Sequence, residues 1–138
     1  MYPEQLVAPM RQELVNAGFE ELRTAEQVDS ALTPNSGTVL VVVNSVCGCA
    51  AGSARPGVRM ALDKATSKPS RLTTVFAGND AEATARARSY FAPYPPSSPA
   101  MALFKDGELV HFIERHHIEG RSAQMIADNL LMAFEQFC

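Results

Sequence analysis

Apolar and β-branched runs along the chain predict four strands. Residues 38–44 form the continuous run Thr-Val-Leu-Val-Val-Val-Asn, which is typical of a central parallel strand covered on both faces. A second strand is predicted over residues 71–77. Two more strands, at 100–105 and 108–114, are joined by Asp-Gly at 106–107, so they predict an antiparallel hairpin.

Helical spacing and capping residues predict two helices before the first strand. Residues 3–17 form the first, in which Pro9 predicts a kink or a late start. Its apolar positions are Leu6, Met10, Leu14 and Ala17. Thr24 with Gln27 predicts a capping box that opens a short helix, which ends before a turn at 34–37. We expect these two helices to form an N-terminal layer.

Three further helices are predicted between and after the strands. One covers residues 49–65, and the Pro-Gly pair at 56–57 interrupts it, so a bend is expected in its first half. Asn79 with Glu82 predicts the start of another, which reaches residue 90 or 91. Ser122 is the predicted cap of the last helix. The apolar stripe of that helix consists of Met125, Ile126, Leu130, Ala133, Phe134 and Phe137.

The order of these elements predicts the fold class. Residues 92–99 contain four prolines, which remove backbone donors, so this stretch is predicted to be irregular. The order helix-helix-β-α-β-α-β-β-α then predicts a thioredoxin-like α/β fold, with three α/β/α layers, a mixed sheet of about four strands and an N-terminal helical extension. The length of 138 residues and 46% apolar content predict a single domain over residues 1–138.

Composition and charge argue against several classes of function. Charged residues make up 20% of the chain and the formal net charge is −3, so we expect no nucleic-acid partner. No window approaches the roughly 20 apolar residues of a membrane span, and we expect neither a span nor a signal peptide. The chain has three cysteines, an odd number that does not suit a secreted disulfide framework and that favours the reducing cytoplasm.

The run Cys47-Gly48-Cys49 carries the candidate chemistry. It follows the central strand and precedes a helix, whose N-terminal N–H groups stabilise a thiolate. Cys47 is therefore predicted to be the more exposed, nucleophilic sulfur, and Cys49 the resolving thiol. Gly48 has no Cβ and adopts whatever φ a small Cys-x-Cys ring demands. Such a disulfide is predicted to be strained and easily reduced, which suits thiol-disulfide exchange better than a structural role.

Three other interpretations of these features remain open. Cysteine is common as a small buried hydrophobe, although a pair around a glycine at a strand end is a poor candidate for packing alone. The two thiols together with a histidine or Cys138 are candidate ligands for zinc, copper or part of an iron–sulfur cluster, but no second cysteine pair completes four ligands. A non-catalytic adaptor would use the aromatic and proline surface near Tyr94.

Other reactive residue types are given mainly structural interpretations. Cys138 is expected to be exposed and mobile, or to act as a second resolving thiol if the C-terminus folds toward the Cys-Gly-Cys run. His116 and His117 are expected in a solvated loop, and His111 within a strand. Arg55 either assists the thiolate electrostatically or is a solvated helical arginine.

Several motifs, spread over nearly the whole chain, resemble those of one family. They are Pro9 to Leu14, Ala17 to Leu22, Val41 to Gly52, Ala54-Arg55-Pro56, Thr74 to Gly78, Pro96 to Pro99, Arg115-His116 and Ile118-Glu119-Gly120. The chain thereby resembles the bacilliredoxins, bacterial thioredoxin-like proteins that carry Cys-Gly-Cys in place of Cys-x-x-Cys.

The resemblance implies a function and further site residues. It implies that Cys47 takes a low-molecular-weight thiol, bacillithiol or a similar one, from mixed disulfides on S-thiolated client proteins. It also implies a weak disulfide-isomerase activity with the same two thiols. Pro99 corresponds to the cis-proline that faces the sulfurs in thioredoxin-like folds, where it presents backbone groups to a client. No tightly bound cofactor and no metal are expected.

Overall fold

A mixed sheet lies at the centre of the computed structural model, which describes residues 1–33 and 37–138. Within these residues it has five strands in the spatial order β1-β3-β2-β4-β5: β1 (Glu20–Glu21), β2 (Thr38–Asn44), β3 (Arg71–Phe76), β4 (Ala100–Lys105) and β5 (Glu108–Ile113). β1, β3 and β2 are parallel to one another, and β4 and β5 pair antiparallel. The predicted turn at 34–37 lies outside the described residues except for Gly37.

Helices cover both faces of this sheet. They are α1 (Glu4–Asn16), α2 (Ala25–Leu32), α3 (Arg55–Lys64), α4 (Ala81–Ser89), α5 (Arg115–Ile118) and α6 (Ala123–Phe137). One core contains residues of α1, α3 and α6, and the other contains residues of α2 and α4. The predicted three-layer α/β/α class is confirmed. The expectation that the first two helices form one layer is wrong, since Leu14 of α1 and Val28 of α2 lie in opposite cores.

β2 is buried along its entire length, as its unbroken apolar run predicts. Leu40 and Val42 face the core of α1, α3 and α6, whereas Val39, Val41 and Val43 face the core of α2 and α4. The two-residue strand β1 was not predicted, because Glu-Glu has neither the length nor the residue types of a strand. It forms by pairing with Thr73 and Thr74 of β3, a contact distant in sequence.

The buried faces of two helices differ from those predicted. α1 begins at Glu4 and runs through Pro9, so the late start is wrong. Its buried positions are Val7, Arg11 and Leu14, while Leu6 is 48% exposed. Arg11 is buried because it pairs with three carboxylates, those of Glu4, Glu21 and Asp80. In α6, Met125 is 50% exposed and lies outside the buried stripe, which includes Ala127 instead.

Two of the three predicted helix-capping signatures are confirmed. The Thr24–Gln27 capping box and the Ser122 cap are both present. The start predicted at Asn79 is wrong, because the N-cap of α4 is Asp80, and it makes no side-chain capping bond. The Asn79 side chain instead accepts from the backbone N–H of Tyr2 and donates to its carbonyl, each at 3.0 Å.

The segment after the cysteines begins with a π-helical turn at Ala50–Ala54, where the N–H of Arg55 donates to the carbonyl of Ala50, five residues earlier. The Pro-Gly pair itself does not interrupt the helix, since α3 runs from Arg55 to Lys64, and the irregular turn lies in the first half of the predicted segment. In a regular α-helix Pro56 would donate no hydrogen bond and its ring would crowd the carbonyl of Gly52, and the wider turn relieves this conflict. No helix in the described parts of the chain has the length and apolarity to cross a membrane.

The close contact between α3 and α6 gives a first prediction. A Cβ on Gly57 would lie 2.7 Å from Cβ of Ile126 and 3.0 Å from the carbonyl oxygen of Ala123. We expect Gly57→Ala to lower the free energy of unfolding by about 1 to 3 kcal/mol through overpacking, measured by urea denaturation. Gly52→Ala is the matched control, because nothing lies within 4 Å of its Cβ. Equal stability of the two variants would contradict this packing.

Candidate active site

The Cys-Gly-Cys run lies where β2 ends and the helical segment begins. Cys47 and Cys49 are half-buried, whereas Gly48 is exposed. The carbonyl of Cys47 accepts from the N–H of Ala50 at 2.9 Å, so Cys47 stands at the first helical turn. Its own N–H donates to Oγ of Ser45 at 3.1 Å. The run is thereby held at the carboxyl ends of the parallel strands, where open α/β sheets commonly bind ligands.

A buried arginine fixes this junction. Arg55 donates to Oδ1 of Asn44 at 2.9 Å and to the carbonyl of Ser45 at 3.0 Å, and its Nε pairs with Glu13 at 2.8 Å. The Asn44 amide also donates to the carbonyl of Met10 at 3.1 Å, which brings α1 into the network. The expectation that Arg55 is a solvated helical arginine is wrong, because its side chain is 3% exposed and its donors bind the strand end and Glu13.

The two sulfurs have different electrostatic surroundings. The Cys49 side chain hydrogen-bonds to Cys47, and this interaction is the main reason that the pKa of Cys47 lies below its ordinary value. The Cys49 N–H, which donates to Sγ of Cys47 at 3.4 Å, and the positive charge of Arg115 act in the same direction. The pKa of Cys49 is raised, first by burial and then by Cys47. The thiolate therefore forms at Cys47 before Cys49.

A cavity of about 490 Å³ opens beside Cys47. Its walls come from the ends of β2 and β3, from the loop before β4 at Ser98, and from the side chains of Tyr2, Arg88 and Arg115. Cys47 is among the lining residues and Cys49 is not. A molecule in this cavity would meet the sulfur that ionises more readily.

The loop that carries Pro99 forms another wall of the site. The Ser98–Pro99 peptide bond is cis, the isomer that the resemblance implies, and Pro99 is buried. Arg115 ties this loop to α5, because its N–H donates to Oγ of Ser97 at 2.6 Å and its Nη1 donates to the carbonyl of Ser98 at 3.3 Å. Sequence reasoning missed the role of Arg115. Its only signal was its presence in a family motif, since no spacing links it to the cysteines.

The remaining candidate residues lie away from the sulfurs. Cys138 is close to Thr38 and Lys105, at the start of β2, about 20 Å from its end by the length of seven extended residues. It is therefore not a second resolving thiol. His111, in β5 as expected, bonds to Asn129 on α6 at 2.7 Å.

His116 and His117 belong to the short helix α5 rather than to a loop, and both are exposed. With Glu114 they form the one group of three close metal-ligating side chains found among residues 1–33 and 37–138. That group contains no cysteine. The geometry thus offers the Cys-Gly-Cys thiols no third ligand within the described residues, which weighs against the metal interpretation.

Comparison with known proteins gives close relatives over the full length. The model of a family described as disulphide isomerase matches residues 2–138. A bacilliredoxin of Cytophaga hutchinsonii is 63% identical over 136 residues, covering 99% of each chain. A bacilliredoxin of Bacillus cereus is 58% identical over 137 residues, covering 99% of this chain and 95% of the relative.

Comparison with solved structures identifies the fold of this chain. A mutant thioredoxin from Halobacterium salinarum superimposes with a TM-score of 0.58 at 19% identity, over 85% of this chain and 88% of the thioredoxin. At this identity the likeness concerns the fold alone. The predicted thioredoxin-like fold is confirmed.

The pKa shifts predict how the thiols respond to pH. Because the pKa of Cys47 is lowered, its alkylation rate is expected to reach half its maximum below the pH of an ordinary thiol. Cys49→Ala removes the main cause of the lowered pKa, and Arg115→Met removes a smaller one. Both variants should therefore shift the pH midpoint of alkylation upward, and the shift should be larger in Cys49→Ala. The midpoint is measured from the rate of Cys47 alkylation at a series of pH values, followed by peptide mass spectrometry. An unshifted midpoint in Cys49→Ala would contradict the assignment.

Arg55 is predicted to position the cysteines. Arg55→Met removes hydrogen bonds to Asn44 and Ser45 and unpairs Glu13, so we expect a loss of about 2 to 3 kcal/mol in unfolding free energy. The Cys47 alkylation midpoint should also move toward that of an ordinary thiol, because the junction loosens. Arg59→Met is the matched control one turn along α3, where the side chain is exposed. If Arg59→Met perturbs both measurements as much as Arg55→Met, the positioning role is wrong.

Proposed function

Since this chain belongs to the bacilliredoxin family, we propose that it is a thiol-disulfide oxidoreductase that removes a low-molecular-weight thiol, bacillithiol or a similar one, from S-thiolated client proteins. The observation that carries the proposal is the pairing of Cys47 with Cys49. The sulfur with the lowered pKa lines a cavity, and the second cysteine, which does not line it, hydrogen-bonds to that sulfur.

The first step is a thiol-disulfide exchange. The Cys47 thiolate attacks the small-thiol sulfur of the client mixed disulfide, which breaks the client S–S bond and forms a new S–S bond between Cys47 and the small thiol. The client sulfur leaves as a thiolate and takes a proton from water. The lowered pKa of Cys47 favours this step because only the thiolate is nucleophilic.

Resolution uses the second cysteine. Cys49 loses its proton and attacks the Cys47 sulfur, which expels the small thiol as a thiolate and leaves a Cys47–Cys49 disulfide. Gly48 between them allows the backbone to adopt the angles that this small ring needs. Two electrons from a thiol reductant, either a dithiol or two low-molecular-weight thiols, return the pair to the dithiol state.

Further parts of the proposal concern the client and the compartment. Ser98 lines the cavity beside Cys47 and is joined to Pro99 by a cis peptide bond, so we assign the backbone groups of these two residues to contact with the client. Disulfide isomerisation, which the description of the matching family model names, would use the same two thiols. The dithiol state suits a reducing compartment such as the cytoplasm, and the reaction needs no tightly bound cofactor.

Single-turnover dethiolation tests this function. Reduced protein mixed with a single-cysteine client that carries glutathione or bacillithiol should release the client thiol. We expect Cys47→Ala to reduce the rate by about 100-fold or more, because the nucleophile is lost. Cys49→Ala should release the client but keep the small thiol as a stable adduct on Cys47, visible in the intact mass.

Cys138→Ala serves as the matched control, since Cys138 lies at the other end of β2. It should dethiolate the client at the parental rate. Release by Cys47→Ala as fast as by the parent protein would overturn the proposed function.

A further inference from the structure

The cavity beside Cys47 is lined by two cations. Arg88 and Arg115 contribute to its wall, and no aspartate or glutamate is among the described residues that line it. Tyr2, Ser45 and Ser98 add polar groups. A thiolate at Cys47 supplies one negative charge, which leaves the cavity with an excess of positive charge. Such a lining favours an anionic ligand.

The half-buried Arg88 differs from the two buried arginines. It lies on α4 four residues after the buried Thr84, on the side of the helix that faces the sheet. Its Nε is buried with no hydrogen-bond partner, and the side chain forms no ion pair within the described parts of the chain. Arg11 and Arg55, by contrast, are each buried against carboxylates. Burial lowers the pKa of Arg88, as expected for a cation that lacks a countercharge.

We propose that Arg88 binds a carboxylate of the low-molecular-weight thiol, so that the cavity selects thiols that carry an acidic group. This inference rests on the proposed function, since it concerns the substrate of the same site. The guanidinium presents donors in a planar fork that matches a carboxylate, and Arg88 lines the cavity without a carboxylate of the described chain paired to it. Arg115, at the exposed rim, adds positive charge but already contacts Glu119 at 3.4 Å.

The site then determines which sulfur of the mixed disulfide is attacked. With the acidic group of the small thiol held at Arg88, the small-thiol half occupies the cavity and its sulfur faces Cys47. The client half remains outside the cavity. Attack at the small-thiol sulfur releases the client, whereas attack at the other sulfur would link the client to Cys47. Cys49, outside the cavity lining, stays free to resolve the adduct.

Alkylation with iodoacetate and its neutral analogue iodoacetamide tests the carboxylate subsite without any disulfide exchange. Both reagents react with the same thiolate, so the ratio of their rates at Cys47 is independent of its pKa. We expect Arg88→Met to lower the iodoacetate-to-iodoacetamide ratio about tenfold, as loss of a charge-assisted hydrogen bond predicts. Arg88→Lys, which keeps the charge without the fork, should give an intermediate ratio and guards against misfolding of Arg88→Met.

Arg86→Met is the matched control. Arg86 lies on the same helix but pairs with Asp29 on the protein surface, so the ratio should be unchanged. An unchanged ratio in both Arg88 variants would overturn the subsite. Equal slowing of both reagents would also overturn it, because Arg88 would then act on the sulfur and not on the ligand.

Thiol transfer separates this inference from the proposed function. A single-cysteine client is loaded with mercaptoacetate or with its amide, and transfer of the small thiol to Cys47 is followed in the Cys49→Ala background. Arg88→Met should slow transfer of mercaptoacetate and leave the amide within about twofold, a change too small for a charged hydrogen bond. Equal rates for the two thiols in the parent would overturn the subsite while the function stands. An Arg88-dependent alkylation ratio without transfer from either client would support the subsite and overturn the function.

Discussion

The buried contact between Arg55 and Asn44 is the interaction on which the rest of the site depends. A guanidinium out of water is costly unless its donors are satisfied, and here they meet a strand-end side chain, a loop carbonyl and a carboxylate from α1. Those three partners come from three different elements. Pairing the donors of Arg55 therefore fixes the positions of the end of β2, the start of α3 and the flank of α1 relative to one another. Cys47 lies between the end of β2 and the start of α3.

On this fixed junction, one contact between two thiols separates their acidities. The hydrogen bond from Cys49 stabilises the Cys47 thiolate, and the same thiolate raises the pKa of Cys49. When Cys47 becomes part of a mixed disulfide its charge is lost, so that contribution to the raised pKa of Cys49 disappears. Cys49 then deprotonates more readily at the stage where a second nucleophile is required. The order of the two proposed steps thus follows from the electrostatics of the pair.

Local sequence patterns predicted the features that depend on neighbouring residues. The apolar run of β2, the Thr24 and Ser122 caps and the hairpin at 106–107 were found because their signals lie within a few residues. Partners distant in sequence could not be found in this way. Arg11 is buried because Asp80, 69 residues away, supplies a carboxylate, and that same folding contact takes Asp80 away from capping α4. Arg88 and Arg115 likewise become site residues only when the fold brings them to Cys47.

The π turn at Ala50–Ala54 connects the sulfurs to the Arg55 network. A π turn inserts one extra residue, which rotates everything after it by about 100° relative to a continuous α-helix. Without that residue, Arg55 would point about 100° away from the direction in which it now meets Asn44. The π turn directly precedes Pro56, which has no N–H to donate. The residues of the turn are small: Ala50-Ala51-Gly52-Ser53-Ala54. Pro56 and this run of small residues therefore determine how the helix is rotated after the turn. With this rotation the segment holds the Cys47 thiolate at its first turn, while Arg55 hydrogen-bonds to the end of β2.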